Sequence, residues 1–160
     1  MMSDIYRFSV DLVPITPANY ELAKGLAVRP DQEDLVASLQ KSLADAYVYS
    51  DALFRLAFSE EALVGYLLLF PYNSDQGRMV NIVRLMIDHR FQGRGFGRKL
   101  LETALKWITT FEPAVDIVRI STLPRNITAL SLFESAGFTR RGMENGEIAL
   151  YLEVNRIGER

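Results

Sequence analysis

The segment that most constrains this chain is Leu85–Arg98, reading Leu-Met-Ile-Asp-His-Arg-Phe-Gln-Gly-Arg-Gly-Phe-Gly-Arg. It closes a largely apolar stretch, Met79–Asp88, that reads as a strand buried on both faces. Gly93, Gly95 and Gly97 alternate with larger residues. Apolar residues at helical spacing follow within Lys99–Thr110: Leu100, Leu101, Ala104, Leu105 and Ile108. A buried strand, a glycine turn and a helix therefore succeed one another without a break. Glycine admits positive φ and lets backbone approach a ligand closely. The N–H groups of such a turn, with the positive end of the following helix, converge on an anion. Arg94, Arg98 and Lys99 add full charges, so the segment is predicted to cradle phosphate.

The other elements fall around this unit. Ile5–Val13 reads as a strand, Asn19–Leu26 as a short helix after Thr16-Pro17, and Asp31–Tyr49 as a second helical stretch with Leu35, Leu39 and Leu43 in one stripe. Leu53–Ser59 and Ala62–Tyr72 read as a hairpin, and Asn73–Arg78 as a polar loop. Past Pro113, Ile117–Ser121 is a strand and Asn126–Ala136 a helix ended by Gly137. Phe138–Met143 and Ile148–Val154 close the chain around Asn145-Gly146, a strong turn signal. The expectation is one mixed α/β domain over residues 1–160, as its length suggests.

Three phosphate cradles compete for the glycine turn. A P-loop ends in Gly-Lys-Ser/Thr, which Gly97-Arg98-Lys99 does not supply. A dinucleotide fingerprint needs G-x-G-x-x-G near the first strand, whereas here G-x-G-x-G falls past mid-chain. The third pattern, Gln/Arg-x-x-Gly-x-Gly/Ala, is matched by Gln92, Gly95 and Gly97. A second stretch, Asn126-Ile127-Thr128-Ala129-Leu130-Ser131-Leu132-Phe133-Glu134-Ser135-Ala136-Gly137-Phe138, fits Asn-x-x-Ala-x-x-Leu-Tyr-x-x-x-Gly-Phe except at Phe133. With both signatures the chain resembles the GNAT (GCN5-related) N-acetyltransferases over about Leu53 to Val154.

That resemblance implies a mixed, mostly antiparallel central sheet with helices on both faces, and acetyl-CoA as co-substrate. It implies that Leu85, Met86 and Ile87 pair with the pantetheine arm as an added strand would. Backbone N–H groups of Gly93, Arg94, Gly95, Phe96, Gly97 and Arg98 would hold the pyrophosphate, Gln92 would shape the loop entrance, and Asn126 would bond the pantetheine side. A homodimer paired through strands is also implied.

Charge is unevenly spread. Residues 78–106 hold seven basic and two acidic residues, whereas residues 1–60 hold nine acidic and five basic ones. The acidic part is suited to a cationic acceptor, with Glu33, Asp34 and Asp45 as candidate contacts. Val28–Ser38, Ser42–Ala46, Gly77-Arg78 and Asn145-Gly146-Glu147 are similar to bacterial spermine/spermidine (diamine) acetyltransferases. This implies acetylation of a polyamine or diamine; a protein N-terminus or another small amine is the alternative. Two positions depart from the pattern. The tyrosine that protonates the leaving thiolate falls on Phe133, and a central-strand acid falls on Val83 beside Arg84. Tyr151, Tyr66 and Glu147 are the substitutes within reach of the reading. These departures also motivate a third reading, a CoA-binding sensor with weakened catalysis.

Composition closes other routes. There is no cysteine and a single histidine, His89, so zinc–thiolate sites, thiolate nucleophiles and a multi-histidine metal site are excluded, and no metal is expected. A net charge of −2 does not suit a nucleic-acid binder. No apolar run is long enough to span a membrane and Met1–Arg7 is unlike a signal peptide, so a cytoplasmic protein is expected.

Overall fold

A computed structural model of the chain describes residues 8–154. Seven strands form one sheet in the order β1-β2-β3-β4-β5-β7-β6. They are β1 (Asp11–Val13), β2 (Leu53–Ser59), β3 (Ala62–Ser74), β4 (Gly77–Ile87), β5 (Ile117–Thr122), β6 (Thr139–Glu144) and β7 (Glu147–Glu153). All neighbours are antiparallel except β4 and β5. The helices are α1 (Tyr20–Ala23), α2 (Leu39–Val48), α3 (Phe96–Phe111) and α4 (Ile127–Ser135). No helix among the described residues is long and apolar enough to cross a membrane.

The alternation of strand side chains builds two cores. Phe54, Leu56, Tyr66, Leu68 and Met86 face α1 and α2, where they meet Ala23, Leu26 and Leu39. Leu67, Leu69, Val80, Ile82, Val118, Ile120 and Leu150 face α3 and α4, where they meet Leu100, Leu101, Ala104, Ile108, Leu130 and Phe133. Helices thus cover both faces, as the family resemblance implies. Trp107 is half-buried beside Phe111 and under the Arg55 guanidinium.

Several expected boundaries move; the short helix expected over Asn19–Leu26 covers only Tyr20–Ala23. Of Ile5–Val13, only Asp11–Val13 is strand, while residues 5–7 lie outside the described residues. The stretch Asp31–Tyr49 is not one helix: a single 3-10 turn spans Pro30–Gln32, and α2 starts only at Leu39, where the Ser38 hydroxyl caps it through the Lys41 N–H. The hydrogen bond from Tyr66 to the Ala37 carbonyl (3.0 Å) holds the intervening chain out of helix. The loop Asn73–Arg78 shrinks to Asp75-Gln76, because Asn73 pairs with Arg78 and Ser74 with Gly77. At the Asn145-Gly146 turn both residues have positive φ (52° and 81°), as the hairpin demands.

One feature of the sheet positions everything that follows. Strands β4 and β5 pair only over Met79–Ile82 with Ile117–Ile120. A bulge between Leu68 and Leu69 leaves Val83 without a partner in β3. Beyond it β4 stays with β3 to Ile87, while β5 continues beside β7. The sheet therefore splits at its centre, and one edge of Val83–Ile87 is bare of strand partners. Gly65 permits the close pairing there, since a Cβ would sit 1.9 Å from the Met86 carbonyl oxygen.

Candidate functional site

Two cavities open from this split. The first is a groove of about 640 Å³. Its floor is Leu85, Met86 and Ile87. One wall is Gly93, Gly95, Gly97 and Arg98, and the other is Asn126 to Ala129 with Leu132 and Phe133. Gly95 lies at the start of α3 with φ +88° and Gly93 has φ +75°. Only glycine takes such values without strain. Lys99 is the first residue to donate within α3, to the Gly95 carbonyl, so the N–H groups of Phe96, Gly97 and Arg98 have no helical acceptor. These three donors, aligned with the helix dipole, are what a bound phosphate requires. A Cβ built on Gly93 meets nothing within 4 Å, so the turn leaves room for a ligand.

The roof of the groove comes from far away in sequence. Gln92 donates to the Ile87 carbonyl and to Gln32 (both 3.0 Å) and accepts from Arg29 (3.1 Å). The Asp88 carboxylate, fully buried, accepts from the N–H of Ala27 (3.0 Å), the N–H of Arg90 (2.9 Å) and Arg90 Nε (2.7 Å). Burial pushes its pKa up, but these donors outweigh burial and hold it below the usual carboxylate range. Residues 27–32 are thereby fastened to the end of β4. On the far side Arg125, at the groove, pairs with Asp34.

The second cavity, about 440 Å³, adjoins the first. Leu35, Val36, Leu85, Asn126, Ala129 and Phe133 line both. It adds Asn81, Val83, Arg84, Arg119, Ser121, Glu144 and Glu147. Arg84 reaches Asp45 (3.1 Å), and Lys41 shares that carboxylate (3.2 Å). Arg119 donates to Asn81 (3.1 Å) and pairs with Glu144. Burial works against the Arg119 charge, but the bond to Glu144 keeps its pKa raised. Glu147 lines the cavity with Ser121 Oγ at 3.4 Å and no cationic partner among the described residues.

The structure brings together most of the residues singled out from sequence. Leu85, Met86, Ile87, Gln92, Gly93, Gly95, Gly97, Arg98 and Asn126 all line the groove. The Asn126 side-chain oxygen is engaged as the α4 cap, accepting from Ala129. Arg94 and Phe96 do not line it: Arg94 lies over the Phe91 ring, and Phe96 packs on Phe8 and Phe91. Glu33 is exposed outside both cavities, and Asp34 and Asp45 are held by arginines. Tyr151 lies outside the cavities under Arg141. Tyr66 is buried, its hydroxyl bonded to Ala37 and Ser42. His89 sits exposed in a 3-10 turn. Arg29, Arg119, Ser121 and Arg125 belong to the site and carry no local sequence signal, because long-range pairing alone places them.

A family model described as Acetyltransferase (GNAT) family matches residues 18–138. The spermine/spermidine N(1)-acetyltransferase of Bacillus subtilis (strain 168) is 30% identical over 156 residues, covering 91% of this chain and 99% of that protein. Among solved structures, the spermidine N-acetyltransferase of Vibrio cholerae in complex with CoA and spermine superposes with a TM-score of 0.71 at 18% identity, covering 91% of this chain and 95% of that one. A Bacillus subtilis acetyltransferase in complex with CoA gives 0.65 at 22% identity, covering 92% and 99%.

Proposed function

The chain belongs to the acetyltransferase (GNAT) family and is an N-acetyltransferase that uses acetyl-CoA, and from that premise we propose that it acetylates a small primary amine in a ternary complex. The observation that carries this reading is the junction at Phe133. There a groove fitted for a phosphate-bearing arm opens directly into a pocket with an uncommitted carboxylate, Glu147. In this reading the whole chain, residues 1–160, acts as one acetyl-CoA-binding domain.

The N–H groups of Phe96, Gly97 and Arg98 hold the pyrophosphate. The bare edge of Val83–Ile87 pairs with the pantetheine arm, and Asn126 bonds its far side. The amine reaches the pocket as an ammonium, with a pKa of roughly 10. It must lose a proton before it can attack. Glu147, with Ser121, orients it and takes that proton, directly or through a water. Acetyl-CoA supplies the thioester: the nitrogen lone pair attacks its carbonyl carbon to give a tetrahedral oxyanion, the nitrogen gives up its second proton to solvent, and the oxyanion collapses to the amide as the C–S bond breaks, sulfur leaving with the electron pair and then taking a proton. Backbone N–H groups at the split face the developing oxyanion. Phe133 gives no proton, so solvent protonates the thiolate, a tolerable leaving group.

The spermine/spermidine relatives support a polyamine or diamine as the first acceptor to test. The ion pairs of the pocket favour a second reading, developed below. Self-association, expected as a homodimer, belongs to the same proposal; a Vibrio cholerae relative is described as dodecameric. The test of function is acetyl-CoA turnover against a panel of polyamines, diamines, amino acids and peptides. Acetylation of at least one class is expected. Tight CoA binding without acetylation of any amine would replace this reading by the sensor.

A further inference from the structure

We propose that the preferred acceptor is a zwitterionic primary amine, carrying a carboxylate at the far end of a short chain, rather than a polyamine. The inference rests on the reading that the pocket beside Phe133 receives the acceptor.

The two walls of that pocket differ in charge balance. On the β4 wall, Arg84 lines the pocket with its side chain only 15% exposed, and Asp45, outside the lining, is its sole carboxylate partner among the described residues. Lys41 bonds the same carboxylate through both oxygens (3.3 and 3.2 Å). Behind that wall one anion serves two cations, and of the three groups only the Arg84 guanidinium lines the pocket. On the β5–β7 wall, Arg119 is 14% exposed and pairs with Glu144, and Glu147 adds a second carboxylate with only the Ser121 hydroxyl beside it. One cation there meets two anions. The pocket is therefore dipolar, positive towards Arg84 and negative towards Glu147.

A polyamine needs successive open carboxylates along its length. The acids that make the N-terminal third look suited to one do not provide them. Asp45 and Asp34 are held by arginines, and Glu33 lies outside the lining. A second ammonium entering the pocket would face the Arg84 guanidinium at a site where water screens poorly. A carboxylate in the same place would accept bonds from a planar, forked donor suited to it. With its ammonium on Glu147 and its carboxylate on Arg84, an aminocarboxylate satisfies both walls. The amine that reacts is still the one beside the thioester, so the chemistry of transfer is unchanged.

The experiment compares butylamine, putrescine and 4-aminobutyrate, which share a chain length and end in nothing, a cation or an anion. Spermidine is added as the polyamine. We expect kcat/KM for 4-aminobutyrate to exceed that for putrescine by about tenfold or more, with the same order in calorimetric binding to the CoA-loaded protein. Arg84→Gln should lower the ratio of 4-aminobutyrate to butylamine about tenfold, and Arg84→Lys should restore part of it. Preference for putrescine or spermidine, or a ratio that Arg84→Gln leaves alone, would overturn the inference while leaving amine acetylation standing. No turnover with any amine would overturn the ternary-complex reading beneath it as well.

Discussion

The groove and the pocket share Phe133 but are built of different material. The groove is mostly backbone: the bare edge of β4, a glycine turn and the free N–H groups of one helix, all within Leu85–Arg98. The pocket is mostly side chains, and its charges are set by pairs 39 (Arg84–Asp45) and 25 (Arg119–Glu144) positions apart. A backbone site depends on a few positions where only glycine fits. A side-chain site can be retuned one charge at a time. On the proposed reading the acceptor site can change while the donor site is kept, and the difference can be attacked from either side.

The largest expected effect lies in the groove. Gly95→Asp forces a side chain into φ +88° and puts a negative charge where phosphate is to bind; CoA affinity should fall more than about 100-fold by calorimetry. Retained affinity would mean that the groove is not the CoA site. On the pocket side, Glu147→Gln should lower kcat/KM about 100-fold and leave the CoA dissociation constant within about twofold. A loss in CoA binding as large as the loss in rate would erase the distinction between the two cavities.

The next effect is on the fold beneath the groove. The Asp88 carboxyl is held below the ordinary aspartate value of 3.8, so the folded state binds its proton less readily than the unfolded chain. Its stabilisation is complete above that value and is lost as pH falls through the lower, folded pKa. Asp88→Asn should cost about 2 kcal/mol at pH 7 by urea unfolding, with the gap from the parent protein closing at strongly acidic pH. A constant gap across the acid range would show that Asp88 acts by shape alone. The smallest effect is at the junction. Phe133→Tyr should leave the rate unchanged or raise it a few-fold, since it restores a hydroxyl at a buried wall. A large loss would show that Phe133 packs in a way the chemistry depends on.

The same contrast decides what could be read from sequence. The groove is legible because each of its main determinants is local in sequence: apolar strand, glycines and helix spacing in one run, and the Asn126 cap in another. The helix–strand order followed from periodicity for the same reason. The segment Glu33–Ser38 reads as part of a helix because Leu35 continues the stripe of Leu39 and Leu43. In the fold, Leu35 and Val36 instead turn into the two cavities. Asn73–Arg78 looked like a loop because its residues are polar, yet strand ends that project into water stay paired without apolar side chains. The acids were located correctly as an N-terminal excess, but composition does not say which arginine each one meets. That information resides in register and in the helix–sheet docking of α2.

The four-residue seam between β4 and β5 has a thermodynamic consequence. One half of the sheet, β1 to β4, and the other, β5 to β7, are joined as strands only over Met79–Ile82 and Ile117–Ile120. A molecule lying in the groove touches β4 on one side and α4, which follows β5, on the other, so its binding adds a second join beside the first. Because the unfolded chain offers no such surface, occupancy raises unfolding free energy by mass action, about 2.7 kcal/mol at a hundredfold excess over the dissociation constant. The gain acts across the seam, where only four residue pairs join the two halves. On the proposed reading the donor is a reactant in catalysis and a cross-brace in stability.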